Sequence, residues 1–261
     1  MAIAFCPRPD LYGDADFSAA VEDRHGRLLR LELANDDRYR LKVPLEQIAT
    51  AVIDATLLYE DRHYRYHPGV NPGALLRAAW STYVGRDRVV GGSTITMQLA
   101  RLRFSLETRS PGGKLKQIAR ALQLERHYTK GEILEAYLNL APYGGNIEGI
   151  GTAALIYFDK PVSQLSLPEA QALVVIPQNP ARRNPQTSTG YAQMMEARGR
   201  LLGLWKNRFP MDDERIAQFD LPLAPRSSKA LPFIAPHFSR DVLRANPQFE
   251  GVLTTTLDWP T

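Results

Sequence analysis

The chain has 261 residues, and its 32 lysines and arginines against 28 aspartates and glutamates give a formal net charge of +4. A hydrophobic content of 44% is ample for a core and excludes disordered, collagen-like and small disulfide-stapled proteins. Cys6 is the only cysteine, so the chain forms neither an intrachain disulfide nor a cysteine-based metal site.

The predicted elements begin with strands. Residues 1–43 form a strand-rich segment in which residues 23–26 make a turn between two apolar runs. From Pro44 onward, apolar residues recur every three or four positions, which predicts a helix with one apolar face. The residues on that face are Leu45, Ile48, Val52, Ala55 and Tyr59.

Further helices are predicted at 75–83, 94–104, 191–208 and 236–245, and around Leu115, Ile118 and Leu122. Capping boxes at Thr129–Glu132 and Ser166–Glu169 open two more helices. Residues 252–257 are typical of a lone strand. No apolar run approaches the ~20 residues of a membrane-spanning helix, and Asp10 and Asp14 come too early for a signal peptide.

The positive charge is concentrated in one stretch. Residues 101–130 carry eight cationic and two anionic side chains, so the rest of the chain sums to −2. Such a run is usually a solvated face, but it also suits nucleic acid or a phosphate-bearing lipid. Phe104 is the one aromatic residue between Arg101 and Arg126, so base-stacking platforms are not indicated. A few fixed cations that contact phosphate are the simpler interpretation, and no nucleic-acid partner is expected.

Two adjacent carboxylates, Glu60 and Asp61, end the first predicted helix. They oppose the helix dipole by ~0.3–1 kcal/mol each, so they are either solvated charges or compensated by their surroundings. Burial of Glu60 among Tyr59, Tyr64 and Tyr66 would favour the role of general base.

The four-residue spacing of His63 and His67 allows a metal site in principle. Pro68 and Gly69 break the helix, however, and no third ligand is in sight. We therefore prefer a structural role, in which the loop is tied to the backbone or to Asp61. Residues 91–98 place two glycines before hydroxyl residues, with Ser93 as a predicted N-cap, which is a weak signal for anion binding.

Together these segments resemble the peptidoglycan glycosyltransferases of glycosyltransferase family 51, the membrane-side domain of class A penicillin-binding proteins. The family's first motif, E-D-x-x-F-x-x-H-x-G-x-D, is similar to residues 60–71, with Tyr64 for Phe and Asn71 for Asp. The fourth motif, K-x-x-I-L-E-x-Y-L-N, is complete at residues 130–139.

The second motif, G-G-S-T-I-T-Q-Q-x-x-K-N, is similar to residues 91–102, where Met97, Arg101 and Leu102 replace Gln, Lys and Asn. Met97 and the segments at residues 113–125 and 141–149 resemble the 1C branch of the family.

The third motif, R-K-x-x-E, is the main departure. Gly113, Lys114 and Gln117 occupy its Arg, Lys and Glu positions, so an amide replaces the family's second carboxylate. The fifth motif survives only as residues 197–202. The glycosyltransferase activity is therefore expected to be weak or altered.

The resemblance implies a mainly α, lysozyme-like fold with a large lobe, a smaller membrane-facing lobe and short terminal strands. The glycosyltransferase domain is expected at residues 44–210, after the strand-rich segment 1–43. Residues 211–261 are expected to be a linker leading toward a transpeptidase domain that this sequence does not contain. The mixture of aromatic, aliphatic and arginine residues at 76–106 suits a membrane interface.

The implied reaction polymerises lipid II into glycan strands. The acceptor 4-hydroxyl attacks the anomeric carbon of the donor MurNAc with inversion, and undecaprenyl pyrophosphate leaves. Glu60 matches the general base and Gln117 the second catalytic position, where it can orient a partner but cannot exchange a proton. Tyr137 and Asn139 are expected to hold the helix scaffold. The expected substrate-binding residues are Asp61, His67, Ser93, Thr94, Gln98, Arg101, Arg109 and Lys114.

No obligatory cofactor is expected, and a divalent cation such as Mg²⁺ is left open as an assistant. The expected partners are lipid II, the growing lipid-linked glycan and the membrane surface, with other cell-wall synthesis proteins as further candidates. The expected location is the periplasmic face of the bacterial inner membrane. The alternatives are a lytic, glycan-cleaving enzyme with Glu60 as acid, and a non-catalytic assembly module.

Overall fold

The structure is a computed structural model that describes residues 7–73, 75, 92–247 and 249–259. This part of the chain is mainly α, as predicted, with nine α-helices and one three-stranded sheet. The helices are α1 (Thr50–Glu60), α2 (Ile95–Arg103), α3 (Pro111–His127), α4 (Lys130–Leu140), α5 (Ile150–Phe158), α6 (Leu167–Val174), α7 (Ser188–Lys206), α8 (Asp213–Ala217) and α9 (Pro236–Ala245). The strands are β1 (Ala19–Glu22), β2 (Leu28–Leu31) and β3 (Gly251–Thr254).

The chain divides into two compact units, each made of separate stretches of sequence. Unit 1 comprises residues 1–14 and 56–140, and unit 2 comprises residues 15–55 and 141–261. Helices α2, α3 and α4 lie in unit 1, whereas the sheet and helices α5 to α9 lie in unit 2. The domain limits predicted at 43/44 and 210/211 stay predictions. Most of the helix predicted at 75–83, and the interfacial segment up to residue 91, lie outside the described residues.

The helix predicted from Pro44 is interrupted. A 3₁₀ turn at Leu45–Gln47 comes first, Ile48 is extended with φ −87° and ψ 127°, and α1 begins only at Thr50. The Ile48 N–H donates to the carbonyl of Leu45, three residues earlier. This hydrogen bond closes the turn, which ends at Ile48. The predicted apolar face is nevertheless buried at Ile48, Val52 and Ala55. Helix α1 ends at Glu60, as predicted.

Unit 1 is a packed group of α2, α3 and α4. Helix α4 opens with the predicted capping box, because Thr129 and Glu132 exchange hydrogen bonds between side chain and backbone. Helix α3 forms where its apolar spacing predicted a helix, but its most buried side chains are not the apolar ones that define that spacing. Leu115 is 67% exposed, while Gln117, Ala121 and Leu124 are buried.

Unit 2 contains the sheet, whose strand order is β2-β1-β3. Strands β1 and β2 form an antiparallel hairpin around the predicted turn at residues 23–26. The strand predicted to be alone near the end of the chain is not alone, because β3 pairs in parallel with β1, with Ala20 opposite Val252. Periodicity in sequence reports a strand but not its distant partner. Helix α9 packs on β1 and β2, at the bounds predicted for it.

Candidate active site

Glu60 is oriented by helix α2. Its Oε2 accepts a hydrogen bond of 2.7 Å from Gln98 Nε2. Gln98 Oε1 in turn accepts one of 3.5 Å from the hydroxyl of Tyr137, a buried residue of α4 assigned above to the scaffold. We call Glu60, Gln98 and Tyr137 the Glu60 cluster. It places one half-buried carboxylate at a helix end, oriented by the neutral amide of Gln98.

Two of the three tyrosines expected around Glu60 have different surroundings. Tyr66 is 85% exposed, and the buried Tyr64 donates its hydroxyl hydrogen to the Lys130 carbonyl at 2.8 Å. Gln98, which the second motif supplies, orients Glu60 through a hydrogen bond.

Asp61 joins the end of α1 to the start of α2. Its Oδ2 accepts hydrogen bonds from the Ile95 backbone N–H at 3.1 Å and from His67 Nε2 at 2.9 Å. A carboxylate at this position is stabilised by the positive end of the α2 dipole. Both Asp61 and His67 are buried, and the predicted structural role of His67, tying the loop to Asp61, is observed. Their contribution to substrate binding stays a prediction.

Thr94, not Ser93, is the N-cap of α2. The Thr94 side chain accepts from Met97 N–H at 3.1 Å and donates to the Gly69 carbonyl at 2.6 Å. Thr94 is buried, so it fixes the loop after Glu60 against α2. This arrangement leaves the hydroxyl of Ser93 to a different partner, described below.

A partly buried ion pair that the sequence did not predict supports the same loop. Lys130 Nζ donates to Glu125 Oε1 at 2.6 Å and to the His67 carbonyl at 2.7 Å, and Thr96 Oγ1 also donates to Glu125 Oε1 at 2.6 Å. Gly69, with φ +85°, lies so close to Glu125 that a Cβ there would be 2.5 Å from its Cγ. Two signals were available, since Lys130 opens the fourth motif and Glu125 is one of only two anions in the basic stretch.

We expect Glu125→Gln to lower the free energy of unfolding by about 3 kcal/mol, because the mostly buried Lys130 ammonium loses its counter-ion. Urea denaturation monitored by circular dichroism measures this loss. Glu196→Gln is the matched control, since the Glu196–Arg200 pair of α7 is exposed and should change stability by less than ~0.5 kcal/mol. Equal losses in the two variants would show that the Glu125–Lys130 pair is not the support described here.

Lys114 of α3 is fixed by two neutral acceptors. Its Nζ donates to Ser93 Oγ at 2.7 Å and to Gln117 Oε1 at 2.9 Å. The Gln117 amide is 2% exposed, and its Nε2 donates to the Met97 carbonyl of α2 at 2.6 Å. We call Ser93, Lys114 and Gln117 the Lys114 cluster. Because Ser93 and Gln117 carry no charge, they hold the ammonium in place without neutralising it.

Burial, and then the positive charge of Arg101, lower the pKa of Lys114 from its ordinary value. Arg101 is exposed and near enough for its charge to act on Lys114, so the two form a local concentration of positive charge. Arg109 is also exposed, but in the described part of the chain its only hydrogen bond is from its backbone N–H to Glu107. The structure thus joins Ser93, Lys114 and Gln117 and leaves Arg109 apart from them.

Gly113, at the position of the family's third-motif Arg, has no room for a side chain. A Cβ there would lie 1.9 Å from the Glu107 carbonyl oxygen, whereas a Cβ on the adjacent Gly112 would meet nothing within 4 Å. The loop before α3 therefore packs directly on the backbone of Gly113. The family's arginine is not merely replaced at this position; the local backbone excludes it.

This difference between two neighbouring glycines predicts opposite effects of the same substitution. Gly113→Ala should lower the free energy of unfolding by about 1–3 kcal/mol, because the Glu107 loop must move. Gly112→Ala should leave it unchanged or raise it by about 0.5–1 kcal/mol, since alanine favours a helix. Thermal and urea denaturation of both variants measures the contrast, and two equal melting temperatures would contradict the close packing at Gly113.

The described residues contain neither a group of metal ligands nor a membrane-spanning helix. Among residues 7–73, 75, 92–247 and 249–259, no three or more His, Cys, Asp or Glu side chains lie close enough together to hold a metal ion. No helix in the same ranges is both long enough and apolar enough to cross a bilayer.

Comparison with known proteins gives consistent matches. The family model described as Transglycosylase matches residues 26–203, more than half of the chain. Penicillin-binding protein 1C of Escherichia coli (strain K12) is 40% identical over 229 residues, covering 85% of this chain and 28% of that protein. Penicillin-binding protein 4 of Bacillus subtilis (strain 168) is 37% identical over 176 residues, covering 67% of this chain and 28% of that protein.

The chain therefore spans little more than a quarter of the length of these two relatives. Among solved structures, the crystal structure of penicillin-binding protein 1A from Haemophilus influenzae matches with a TM-score of 0.46 and 18% identity. That match covers 89% of this chain and 24% of that one.

Proposed function

The chain belongs to the transglycosylase family represented in the penicillin-binding proteins, and we propose that it is a peptidoglycan glycosyltransferase that polymerises lipid II into glycan strands. One observation carries the mechanism. Helix α2 holds a carboxylate through Gln98 and an un-neutralised ammonium through the Met97 carbonyl and Gln117. A sugar hydroxyl that attacks a pyrophosphate-linked sugar needs one group of each kind.

Glu60 acts as the general base in this proposal. A sugar hydroxyl is a poor nucleophile at neutral pH, and removal of its proton in the transition state is worth ~10²–10⁴-fold in rate. The Gln98 amide that donates to the carboxylate is neutral, so this hydrogen bond orients Glu60 without pairing it to a charge on Gln98. Attack by the acceptor 4-hydroxyl in one displacement inverts the donor anomeric carbon.

Lys114 stabilises the leaving group. Undecaprenyl pyrophosphate departs as an anion, so it needs fixed positive charge more than it needs a proton. The Lys114 ammonium has three hydrogens, of which Ser93 and Gln117 engage two, so one stays available for a phosphate oxygen. Arg101 adds positive charge near Lys114, whereas Arg109 is proposed only as a more distant contact.

Gln117 orients Lys114 without taking part in proton transfer. Its oxygen accepts from Lys114 and its nitrogen donates to a carbonyl, so both ends of the amide are used. An ionised carboxylate at this position would face the Met97 carbonyl with two acceptors and no donor. The amide therefore suits the local backbone, and the reaction is proposed to run with Glu60 as its one acid–base group.

Incubation of the chain with fluorescent lipid II in detergent micelles, followed by gel separation of the glycan, tests the proposal. Lengthening glycan with release of undecaprenyl pyrophosphate is expected. Cleavage of isolated glycan strands without consumption of lipid II would indicate the lytic alternative. No reaction with either substrate would indicate a non-catalytic assembly module.

The cellular setting is part of the same proposal. A lipid-linked donor requires access from the periplasmic face of the inner membrane, through the smaller membrane-facing lobe expected for this fold. Other cell-wall synthesis proteins are further proposed partners. Assistance by Mg²⁺ is tested by adding a chelator to the polymerisation assay, where full activity would exclude a required metal.

A further inference from the structure

Unit 2 contains a cavity of about 520 Å³ that the proposed reaction does not use. It lies beside the β1–β2 hairpin, strand β3 and helix α5, and we call it the sheet cavity. Its volume is in the range of small-molecule sites, ~300–1,000 Å³. The apolar part of its wall comes from Leu28, Leu41, Val43, Leu155 and Val252.

The four ionisable side chains on the wall differ in whether they have a partner. Three of the four have a side-chain partner: Arg27 pairs with Asp23, Asp159 pairs with Arg226, and the His25 ring contacts Asp258. The fourth, Glu22, has no ion pair and no side-chain hydrogen bond with any residue that the structure describes. The cavity therefore carries one carboxylate whose charge nothing within it offsets.

The placement of Glu22 makes this charge costly in the absence of a ligand. It is the last residue of β1, half-buried, and its Oε2 lies close to Gly26 across the turn. Burial and the neighbouring charge of Asp23 raise the pKa of its carboxyl group. A cation brought next to it would be attracted more strongly than by an exposed carboxylate.

We propose that the sheet cavity binds a primary ammonium group on an aliphatic stem, as in the side chain of lysine or another diamino acid. The carboxylate of Glu22 takes the ammonium, and the apolar wall takes the methylene groups, which is how such amphipathic side chains are usually accommodated. Gln47, Ser163 and Gln164 on the same wall offer hydrogen bonds to an attached amide. An anionic ligand would meet the charge of Glu22 with no unpaired cation to balance it.

Binding of Nα-acetyl-lysine methylamide to the full chain, measured by calorimetry, tests this assignment. We expect saturable binding that is at least tenfold weaker for the norleucine analogue, which keeps the stem without the charge. Glu22→Gln should weaken binding of the lysine compound at least tenfold, whereas Glu250→Gln, an exposed carboxylate next to β3 and outside the cavity wall, should not. Equal affinity for lysine and norleucine, or unchanged affinity in Glu22→Gln, would overturn the proposal.

A second variant changes the shape of the sheet cavity without changing its charge. Val252→Trp projects a larger side chain from the partly exposed edge strand into the cavity and keeps Glu22, so it should abolish binding while circular dichroism stays unchanged. Binding that survives in this variant would place the ammonium group elsewhere. A four-residue peptide with a central lysine distinguishes the source: tighter binding than the single residue identifies a peptide ligand, and equal binding a free diamino acid.

Discussion

Glu60→Gln is expected to reduce the rate of lipid II polymerisation by about 10²–10⁴-fold. The amide keeps the size of the side chain and can still accept the hydrogen bond from Gln98, so the end of α1 should stay in place. What it loses is the ability to take a proton from the attacking hydroxyl. The initial rate of glycan formation from fluorescent lipid II measures the effect, and unfolding by urea should be unchanged.

Glu46→Gln is the control for the loss of one negative charge, because Glu46 is exposed in the 3₁₀ turn before α1 and should keep the wild-type rate. Glu60→Asp should recover part of the activity, since the carboxylate is retained but withdrawn by one methylene. Polymerisation at the wild-type rate in Glu60→Gln would show that Glu60 is not the base. It would leave the proposed glycosyltransferase activity itself intact.

Local sequence signals predicted the elements well and their distant contacts poorly. The capping box at Thr129 and the helix end at Glu60 depend on residues within one turn of each other, and both are observed. The pairing of β3 with β1 joins residues more than two hundred positions apart, and no periodicity reports it. Apolar character does not identify the buried positions of α3, since Leu115 is exposed whereas the polar Gln117 is buried and donates to the Met97 carbonyl of α2.

The same contrast between local signals and distant contacts holds for the candidate site. The motifs predicted which residues belong together, and the structure joins Glu60 to Gln98 and Lys114 to Ser93 and Gln117. They did not predict that Thr94 rather than Ser93 caps α2, because both residue types cap helices and serine is the slightly better cap in isolation. The choice depends on the Gly69 carbonyl, which the loop brings to Thr94 from a distant part of the sequence.

The two clusters are coupled through consecutive residues of one helix. The Met97 carbonyl accepts a hydrogen bond from Gln117, and the Gln98 side-chain amide donates one to Glu60. A shift of α2 along its axis would therefore move the base and the cation together. The Asp61 contact to the first backbone N–H of α2 and the Lys130–Glu125 pair both resist such a shift, which gives them a positioning role in the proposed reaction.

Lys114→Met is expected to reduce polymerisation by about 10²–10³-fold, the loss found when one preorganised group that stabilises developing charge is removed. Methionine fills a similar volume without the ammonium, so the pyrophosphate would leave without its nearest fixed cation. Because the leaving group is part of the donor, the variant should lower kcat and bind the donor more weakly. Steady-state rates over a range of lipid II concentrations separate these two effects.

Lys116→Met provides the matched control, because Lys116 is two residues along α3 and exposed, and it should retain most of the wild-type rate. The pH dependence gives a second readout. Since the pKa of Lys114 is lowered, its ammonium deprotonates at a lower pH than an exposed lysine, and the alkaline fall in rate should begin correspondingly early. In Lys114→Arg the cation persists to higher pH, so that fall should disappear. If the alkaline fall in rate is identical in Lys114→Arg and wild type, another group causes it and Lys114 has no role in the leaving-group step.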